Sequence, residues 1–431
     1  MLTRDVCRVQ CSVPYDPDEC VKAIKGIVWR HCSTQLMPEG ANGAQQCIAG
    51  MGSNGVPSCE EEESNVADDL HVVALCGGIT NELFHVYLEG CCAHSVVVRV
   101  FGKETDYVIS REDELFYQQF FIPTYVRGDN FLFISILTST NLCPSQITEY
   151  EKIAHEIAAF HVRATLEARG DRTRTASGSP CVSNNVPTTG EVGEPSRFDL
   201  EENYTVHSLT DWVGRTLSEA FLNKVDPERR DCYVSVAQQL LQEAPRMLRL
   251  LAKHAPEMGE VTCHNDLLSA NIMRHKGSGA LKIIDFEYAK RNYFLFDIAN
   301  HLNEYAGLEC DYGTHFPCDD HIKAFIVCYL RAMRYHLHLY SDEAQLRGLT
   351  NIIPGQQHYF MFDVSVDEES QRVGRMLQQV KLLTLASHLS WSIWALLQEA
   401  VSTINMDFLQ YSKLRLARYF ETKEEFGLRE I

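Results

Sequence analysis

The chain has 431 residues, 45% of them hydrophobic, and a net charge of −19 from 58 acidic and 39 basic side chains. That length suffices for one large two-lobed unit or two to three domains around a sizeable core, and the acidic excess argues against nucleic acid or an anionic membrane surface as a partner. The 16 cysteines show no C-x-x-C spacing, the start Met1–Asp5 lacks a signal-peptide apolar run, and no stretch approaches the ~18 uncharged apolar residues of a membrane span; the expectation is a cytoplasmic chain with reduced thiols.

Residues 6–13 alternate weakly, as an edge strand does. Asp16-Pro17 opens a helical pattern through Val21, Ile24, Ile27, Val28 and Trp29, with proline near the first helical position. Residues 33–68 lose this periodicity, are rich in Gly, Ser, Asn and Glu, and read as a disordered insertion. Within them Gly50-Met51-Gly52-Ser53-Asn54-Gly55 matches G-x-G-x-x-G, but no strand precedes it and Pro57 stands where a helix should begin, so a dinucleotide site is rejected. Residues 70–101 predict a β-meander with strands at 70–75, 83–88 and 95–101. The turn Gly77-Gly78-Ile79-Thr80-Asn81 is of a kind that lays backbone N–H groups over phosphates, although a two-glycine hairpin is ordinarily only a turn. Arg99 lies in the third strand between Val98 and Val100, on the face that alternation makes polar, and Glu112 or Glu114 is placed to orient it. The apolar run 131–137 fits a strand behind an adenine. Residues 150–166 are helical, with His161 read as a packed core residue. A second low-complexity stretch covers 169–198, and amphipathic helices follow at 209–222 and 233–252. Asn203-Tyr204-Thr205 matches a glycosylation acceptor, read as idle without a secretory signal.

The chemistry-bearing segment is His264-Asn265-Asp266-Leu267-Leu268-Ser269-Ala270-Asn271, followed fourteen positions later by Asp285 at the end of the apolar run 281–284. This is the H-x-D-x-x-x-x-N spacing of a kinase catalytic loop with a strand-terminal metal-binding Asp. One carboxylate, Asp266, has to accept the proton of an attacking hydroxyl. The amide oxygen of Asn271 and the carboxylate of Asp285 have to hold Mg²⁺ on the nucleotide phosphates. His264 and Asn265 are read as loop supports. Protein kinases usually place Arg at the position of Asn265, where it pairs with an activation-loop phosphate. Here only eleven residues separate Asp285 from Asp297, Asp285-Phe286-Glu287 replaces Asp-Phe-Gly, and no Ala-Pro-Glu follows. The pattern therefore favours a kinase of small molecules. Beyond it the chain reads as mostly helical, at 322–339 and in one long or broken pattern at 366–401. The latter brings Trp391 and Trp394 to one helix face, which suits core packing or a cation held against π-faces.

Together these segments resemble the choline/ethanolamine kinase family, within the wider group of aminoglycoside-phosphotransferase-like kinases. The resemblance runs from about residue 70 to the C-terminus. It is carried by Cys263-His264-Asn265-Asp266-Leu267-Leu268, Ile284-Asp285-Phe286-Glu287-Tyr288, Phe296-Asp297-Ile298-Ala299-Asn300-His301, Asn303-Glu304-Tyr305-Ala306-Gly307, and the helix from Ala386 through Trp391 and Trp394. The first and fourth of these are similar to the ethanolamine branch. The resemblance implies an α+β, bilobal protein-kinase-like fold, with a small antiparallel N-terminal sheet lobe and a large, mostly helical C-terminal lobe. The expected divisions are 1–32, 33–68, 69–137 and 138–431. It implies Asp266 as base and Asn271 and Asp285 on Mg²⁺. Gly78, Thr80 and Asn81 would lie over the phosphates of ATP, Arg99 paired to Glu114, and Ile136 against the nucleotide. Glu287, Glu304, Trp391 and Trp394 would surround the substrate's ammonium end. Ethanolamine is the implied substrate, choline the alternative, and a homodimer is left open. Three features depart from the family: Ser135 stands where its hinge usually carries an acid, the segment 111–121 is short for its pre-hinge helix, and Glu82 follows the phosphate turn where a Lys often stands. A non-catalytic scaffold and an aminoglycoside-type enzyme are the competing readings; the retained acids oppose the first, and nothing physical requires the tryptophan pair in the second.

Overall fold

The computed structural model describes residues 7–36, 70–75, 81–88, 95–102, 109–135, 139–141, 149–170, 196–254, 257–340, 366–402 and 404–427. These fall into two compact units, 1–109 with 115–138, and 110–114 with 139–431.

In the first unit lie β1 (Cys7–Arg8), α1 (Pro17–Leu36), β2 (Leu70–Leu75), β3 (Asn81–Leu88), β4 (Ser95–Phe101), α2 (Arg111–Phe121, whose first four residues belong to the second unit), β5 (Thr124–Arg127) and β6 (Phe131–Ser135). The strands form one sheet in the order β1-β5-β6-β4-β3-β2, antiparallel except for the β1–β5 pair. Cys20, Ile24, Ile27, Val28, Cys32 and Leu36 recur at helical spacing along α1, and they pack onto Val86, Val96, Val98, Val100, Val126 and Phe131. Three-and-four spacing on the helix thus meets alternation on the strands, and each fully buried Val or Ile contributes roughly 1.5–3 kcal/mol of transfer free energy. Residues 33–36, expected in the insertion, instead complete the last turn of α1, because Leu36 still has a core to enter. Val96, Val98 and Val100 face this core, which leaves Arg99 on the opposite face of β4, where it is only 5% exposed.

The second unit carries β7 (Ser139–Asn141), α3 (Tyr150–Gly170), α4 (Arg230–His254), β8 (Glu260–Cys263), β9 (Ile272–His275), β10 (Leu281–Ile283), β11 (Lys290–Tyr293), α5 (Phe296–Asn303), α6 (Asp319–Leu339), α7 (Val366–Val401) and α8 (Phe408–Glu425). Strands β8 and β11 pair antiparallel, and β10-β9-β7 make a second small sheet. Residues 196–200, the end of which was expected to lie beyond a low-complexity stretch running to 198, are structured: Ser196 and Asp199 form a reciprocal capping box on the turn Arg197–Leu200. The helix expected at 209–222 is broken into a π-turn Ser208–Trp212 and short helices Val213–Thr216 and Glu219–Leu222. Helix α7 runs unbroken for 36 residues. Its span Asp367–Val401 has the length and hydropathy of a membrane helix, contrary to the sequence expectation, but 94% of the apolar window is buried, as in the central helix of a folded core.

Candidate active site

The H-x-D-x-x-x-x-N segment leaves β8 and ends in the 3₁₀ turn Ser269–Asn271, which leads into β9. Asn265 adopts the left-handed conformation, φ 68°, which Asn tolerates better than most residues. Its Nδ2 donates to the Tyr288 carbonyl at 2.8 Å, and its Oδ1 accepts from Asn292 Nδ2 at 2.8 Å. The side chain that replaces the protein-kinase arginine therefore staples the loop to β11. His264 Nε2 donates to the Ile284 carbonyl at 2.9 Å, while its Nδ1 accepts from the Asp266 amide at 3.3 Å. Burial keeps this imidazole neutral by lowering its pKa, and the ring links the Asp266 backbone to the residue before Asp285. Asn271 Nδ2 donates to Asp266 Oδ2 at 3.0 Å and to the Asp266 carbonyl at 2.9 Å. That leaves the amide oxygen of Asn271 for another partner.

Beneath the loop lies Asp297, fully buried near the start of α5. Its Oδ2 accepts from the His264 amide (2.7 Å) and from His161 Nε2 (2.8 Å), and its Oδ1 accepts from the Asn265 amide (2.7 Å). His161 Nδ1 in turn meets the Tyr329 hydroxyl at 2.7 Å. Burial alone would raise the Asp297 pKa, but the His161 bond, the neighbouring histidines and the loop amide outweigh it and hold the carboxyl below its usual range. His161, Cys263 and Asp297 sit close enough for their ligand atoms to share a metal ion. Their hydrogen bonds already use both His161 nitrogens and both Asp297 oxygens, and Cys263 Sγ donates to the Tyr293 carbonyl at 3.4 Å, so this is a hydrogen-bonded core. The expectation of a packed His161 fits; its link to Asp297 was not visible in the sequence.

Three further acids converge near the loop, and two of them, Glu114 and Glu287, are buried. Asp285 is also left-handed, φ 67°. One carboxylate oxygen from each of Glu114, Asp285 and Glu287 lies within 4.8 Å of the other two, a spacing suited to a hard cation with oxygen ligands. Arg111 Nη1 reaches Glu114 at 2.8 Å and Glu287 at 3.6 Å. Arg111 is thus a partner of Glu114 within the second unit, while Arg99 belongs to the first unit. Burial, followed by the charges of Asp285, Glu304 and Glu287, raises Asp266 well above the ordinary carboxylate range, against the single downward pull of Asn271. A group so placed is a stronger base than a free aspartate, and a cation between it and Asp285 would relieve the repulsion.

Trp391 and Trp394 are buried and meet edge to face, 5.3 Å between centroids. Trp394 Nε1 donates to the Tyr288 hydroxyl at 2.7 Å, and Trp391 Nε1 donates to Asn300 Oδ1 at 2.8 Å. The Tyr288 ring lies 5.5 Å from Trp391. Glu304, expected at the ammonium end of the substrate, is paired to the fully buried Arg415 of α8 at 2.9 Å. Arg415 also donates to Ser387 Oγ at 3.0 Å, and Ser387 Oγ donates to Asn300 at 2.8 Å. One polar network thus runs from α8 through α7 to α5.

Asp266, Asn271, Asp285 and Glu287 are therefore brought together, with Glu304 within electrostatic reach and Trp391 and Trp394 around Tyr288. Asn81, at the start of β3, and Arg99 belong to the first unit. Gly78, Thr80 and Ile136 lie outside the described residues, as do the rejected Gly50–Gly55 motif and most of both insertions. Sequence reasoning gave no role to Asp297, Arg111, Tyr288 or Arg415. Asp297 and Tyr288 lie in segments it had singled out, whereas Arg111 and Arg415 carried no local signal.

The family model of choline/ethanolamine kinases matches residues 72–420. Ethanolamine kinase 2 of Rattus norvegicus is 29% identical over 366 residues, covering 82% of this chain and 76% of that protein. The probable ethanolamine kinase A of Dictyostelium discoideum is 27% identical over 378 residues, covering 85% and 89%. Among solved structures, an ethanolamine kinase of Plasmodium vivax superposes with a TM-score of 0.58 at 20% identity, covering 90% of this chain and 96% of that one. A choline kinase of Cryptosporidium parvum gives 0.54 at 20%, covering 89% and 97%. These likenesses establish the α+β, protein-kinase-like fold expected from the sequence. The chain belongs to the choline/ethanolamine kinase family, the kinases that transfer a phosphoryl group to an alcohol acceptor.

Proposed function

We propose that the chain is an ATP-dependent ethanolamine kinase, with Asp266 as the base for the substrate hydroxyl and Asn271 and Asp285 as Mg²⁺ ligands. The observation that carries this reading is the fixed geometry of the catalytic loop: Asp266 is tied to Asn271 at 3.0 Å, while His264 links it to the strand that delivers Asp285. The donor set fits a hard cation, because it offers carboxylates and one amide oxygen with no thiolate or free imidazole among them. Bound Mg²⁺ would neutralise charge on the transferring phosphoryl group. Asp266 would orient the attacking hydroxyl and take its proton.

Gly78, Thr80, Asn81, Arg99 and Ile136 are proposed for the nucleotide. Glu287, Glu304, Trp391 and Trp394 are proposed to line the ammonium end. There each indole would contribute ~1–2 kcal/mol of cation–π attraction in a desolvated pocket. Relatives named as ethanolamine kinases support the substrate; choline remains the second substrate, since the same aromatic wall accepts a trimethylammonium. The described cysteines are free thiols, in keeping with the reducing cytoplasm proposed for the chain. The test is Mg·ATP-dependent turnover on ethanolamine, choline, serinol and a sugar panel. Ethanolamine is expected to give the highest kcat/KM and sugars none. Turnover confined to sugars, or absent on every amine with Mg·ATP bound, refutes the assignment.

A further inference from the structure

Tyr204 sits inside the Asn203-Tyr204-Thr205 triplet, and its surroundings explain that triplet better than a glycan does. Asn203 is 5% exposed. Its Oδ1 accepts from the Val206 amide at 3.1 Å, capping the turn Tyr204–His207, and its Nδ2 donates to Glu260 at 2.6 Å. Thr205 Oγ1 donates to Asn292 Oδ1 at 3.0 Å, and Asn292 Nδ2 donates to Asn265 in the catalytic loop at 2.8 Å. Both neighbours therefore clamp Tyr204 in register with that loop. Its ring lies edge-on to Trp212 (5.5 Å), Phe296 (5.9 Å) and Tyr288 (6.5 Å), on the side of the aromatic cluster continued by Trp391. Tyr204 is 2% exposed, and its hydroxyl has no hydrogen-bond partner among the described residues. Leaving a buried hydroxyl unmet costs roughly 1–3 kcal/mol, a cost that a bound ligand removes. The hydroxyl stays protonated, first through burial and then through the charge of Asp266, which also shows that it lies within the electrostatic reach of the base.

We propose that Tyr204 is a specificity-determining residue whose phenol oxygen accepts a hydrogen bond from the primary ammonium group of the substrate. The inference rests on the amino-alcohol reading above. A primary ammonium has three N–H donors to satisfy; indole faces satisfy none of them directionally, and Glu304 is shared with Arg415. A trimethylammonium has no N–H, so the same oxygen gives it no bond. Tyr204 thereby tilts the pocket toward ethanolamine.

The experiment compares the full-length wild type with Tyr204→Phe, which keeps the ring contacts. Binding of ethanolamine and of choline is read by intrinsic tryptophan fluorescence and calorimetry, alongside Mg·ATP turnover and thermal melting. The expected result is an ethanolamine Kd and KM raised on the order of tenfold, the loss expected for a hydrogen bond to a charged group. Choline binding should be unchanged or tighter, and the melting temperature unchanged or higher. An unchanged ethanolamine-to-choline ratio, equal loss for both amines, or a destabilised protein overturns the inference while leaving the kinase reading intact. A wild type that binds neither amine overturns the kinase reading, and this inference with it.

Discussion

Asp297 is the residue on which the geometry of the catalytic loop depends, and Asp297→Ala is the sharpest perturbation of it. The carboxylate accepts three hydrogen bonds of 2.7–2.8 Å, two from loop amides and one from His161. Hydrogen bonds to a charged group contribute roughly 1.5–3 kcal/mol each. Because the three share one acceptor they do not add, and breaking such a buried network costs about 3–5 kcal/mol. The His264 and Asn265 amides would be left buried and unmet, so the loop should shift to reach water and take Asp266 with it. A displacement of about 1 Å at the base lowers turnover on the order of a hundredfold. Urea unfolding and steady-state kinetics on the same preparation test both effects. Asp297→Asn should fall between, since one acceptor oxygen survives. The pH dependence adds a sign. The folded-state pKa is lowered, so the stabilisation from Asp297 is fully present above the unfolded value of about 4 and is lost as pH falls through the folded value. Asp297→Asn should lack that acid-limb loss. An Asp297→Ala protein with wild-type stability and turnover would refute the reasoning.

Asp266→Asn should cut turnover by at least about a thousandfold, in line with loss of a positioned base, while Mg·ATP binding measured by calorimetry survives. In metal-free protein, the raised Asp266 pKa makes wild-type stability fall as pH rises from about 4 through the folded value, because the folded state holds the proton more tightly; the Asn variant should lose that decline in a pH series of urea midpoints. Arg415→Met should destabilise by roughly 3–5 kcal/mol by leaving Glu304 uncompensated, and it should raise the KM for amine more than that for ATP through Ser387, Asn300 and Trp391. Asn265→Ala should cost about 1–2 kcal/mol for the left-handed backbone alone; Asn265→Gly, which keeps that conformation but loses the staple to Tyr288 and Asn292, should retain less turnover than stability, as read by kinetics beside thermal melting.

The elements legible in the sequence were those with a clean period. The meander strands at 70–75 and 95–101 and the starts of α1 and α3 follow directly from alternation or three-and-four spacing. Boundaries failed where a buried side chain outlasted the composition signal, as at Leu36, or where a local cap began earlier than expected, as at Ser196. The break of the 209–222 helix into a π-turn had no periodic signature. The triplet proposed for catalysis, Asp266, Asn271 and Asp285, stands out in the sequence because such chemistry fixes both residue type and spacing. Its supports do not: Asp297 and His161 meet across 136 positions, and Arg415 and Glu304 across 111. Pairs so far apart leave no trace in local pattern.

The central claim is that Asp266, fixed by Asn271 and His264, directs transfer of the γ-phosphoryl group of ATP onto the ethanolamine hydroxyl. The most direct test is ³¹P NMR of the purified chain with Mg·ATP and ethanolamine, wild type beside Asp266→Asn. The account predicts that a phosphoethanolamine signal grows with ADP for the wild type, and that ATP is bound but untransferred in the variant. Wild-type ATP left intact beside ethanolamine, or equal product from both proteins, would contradict it.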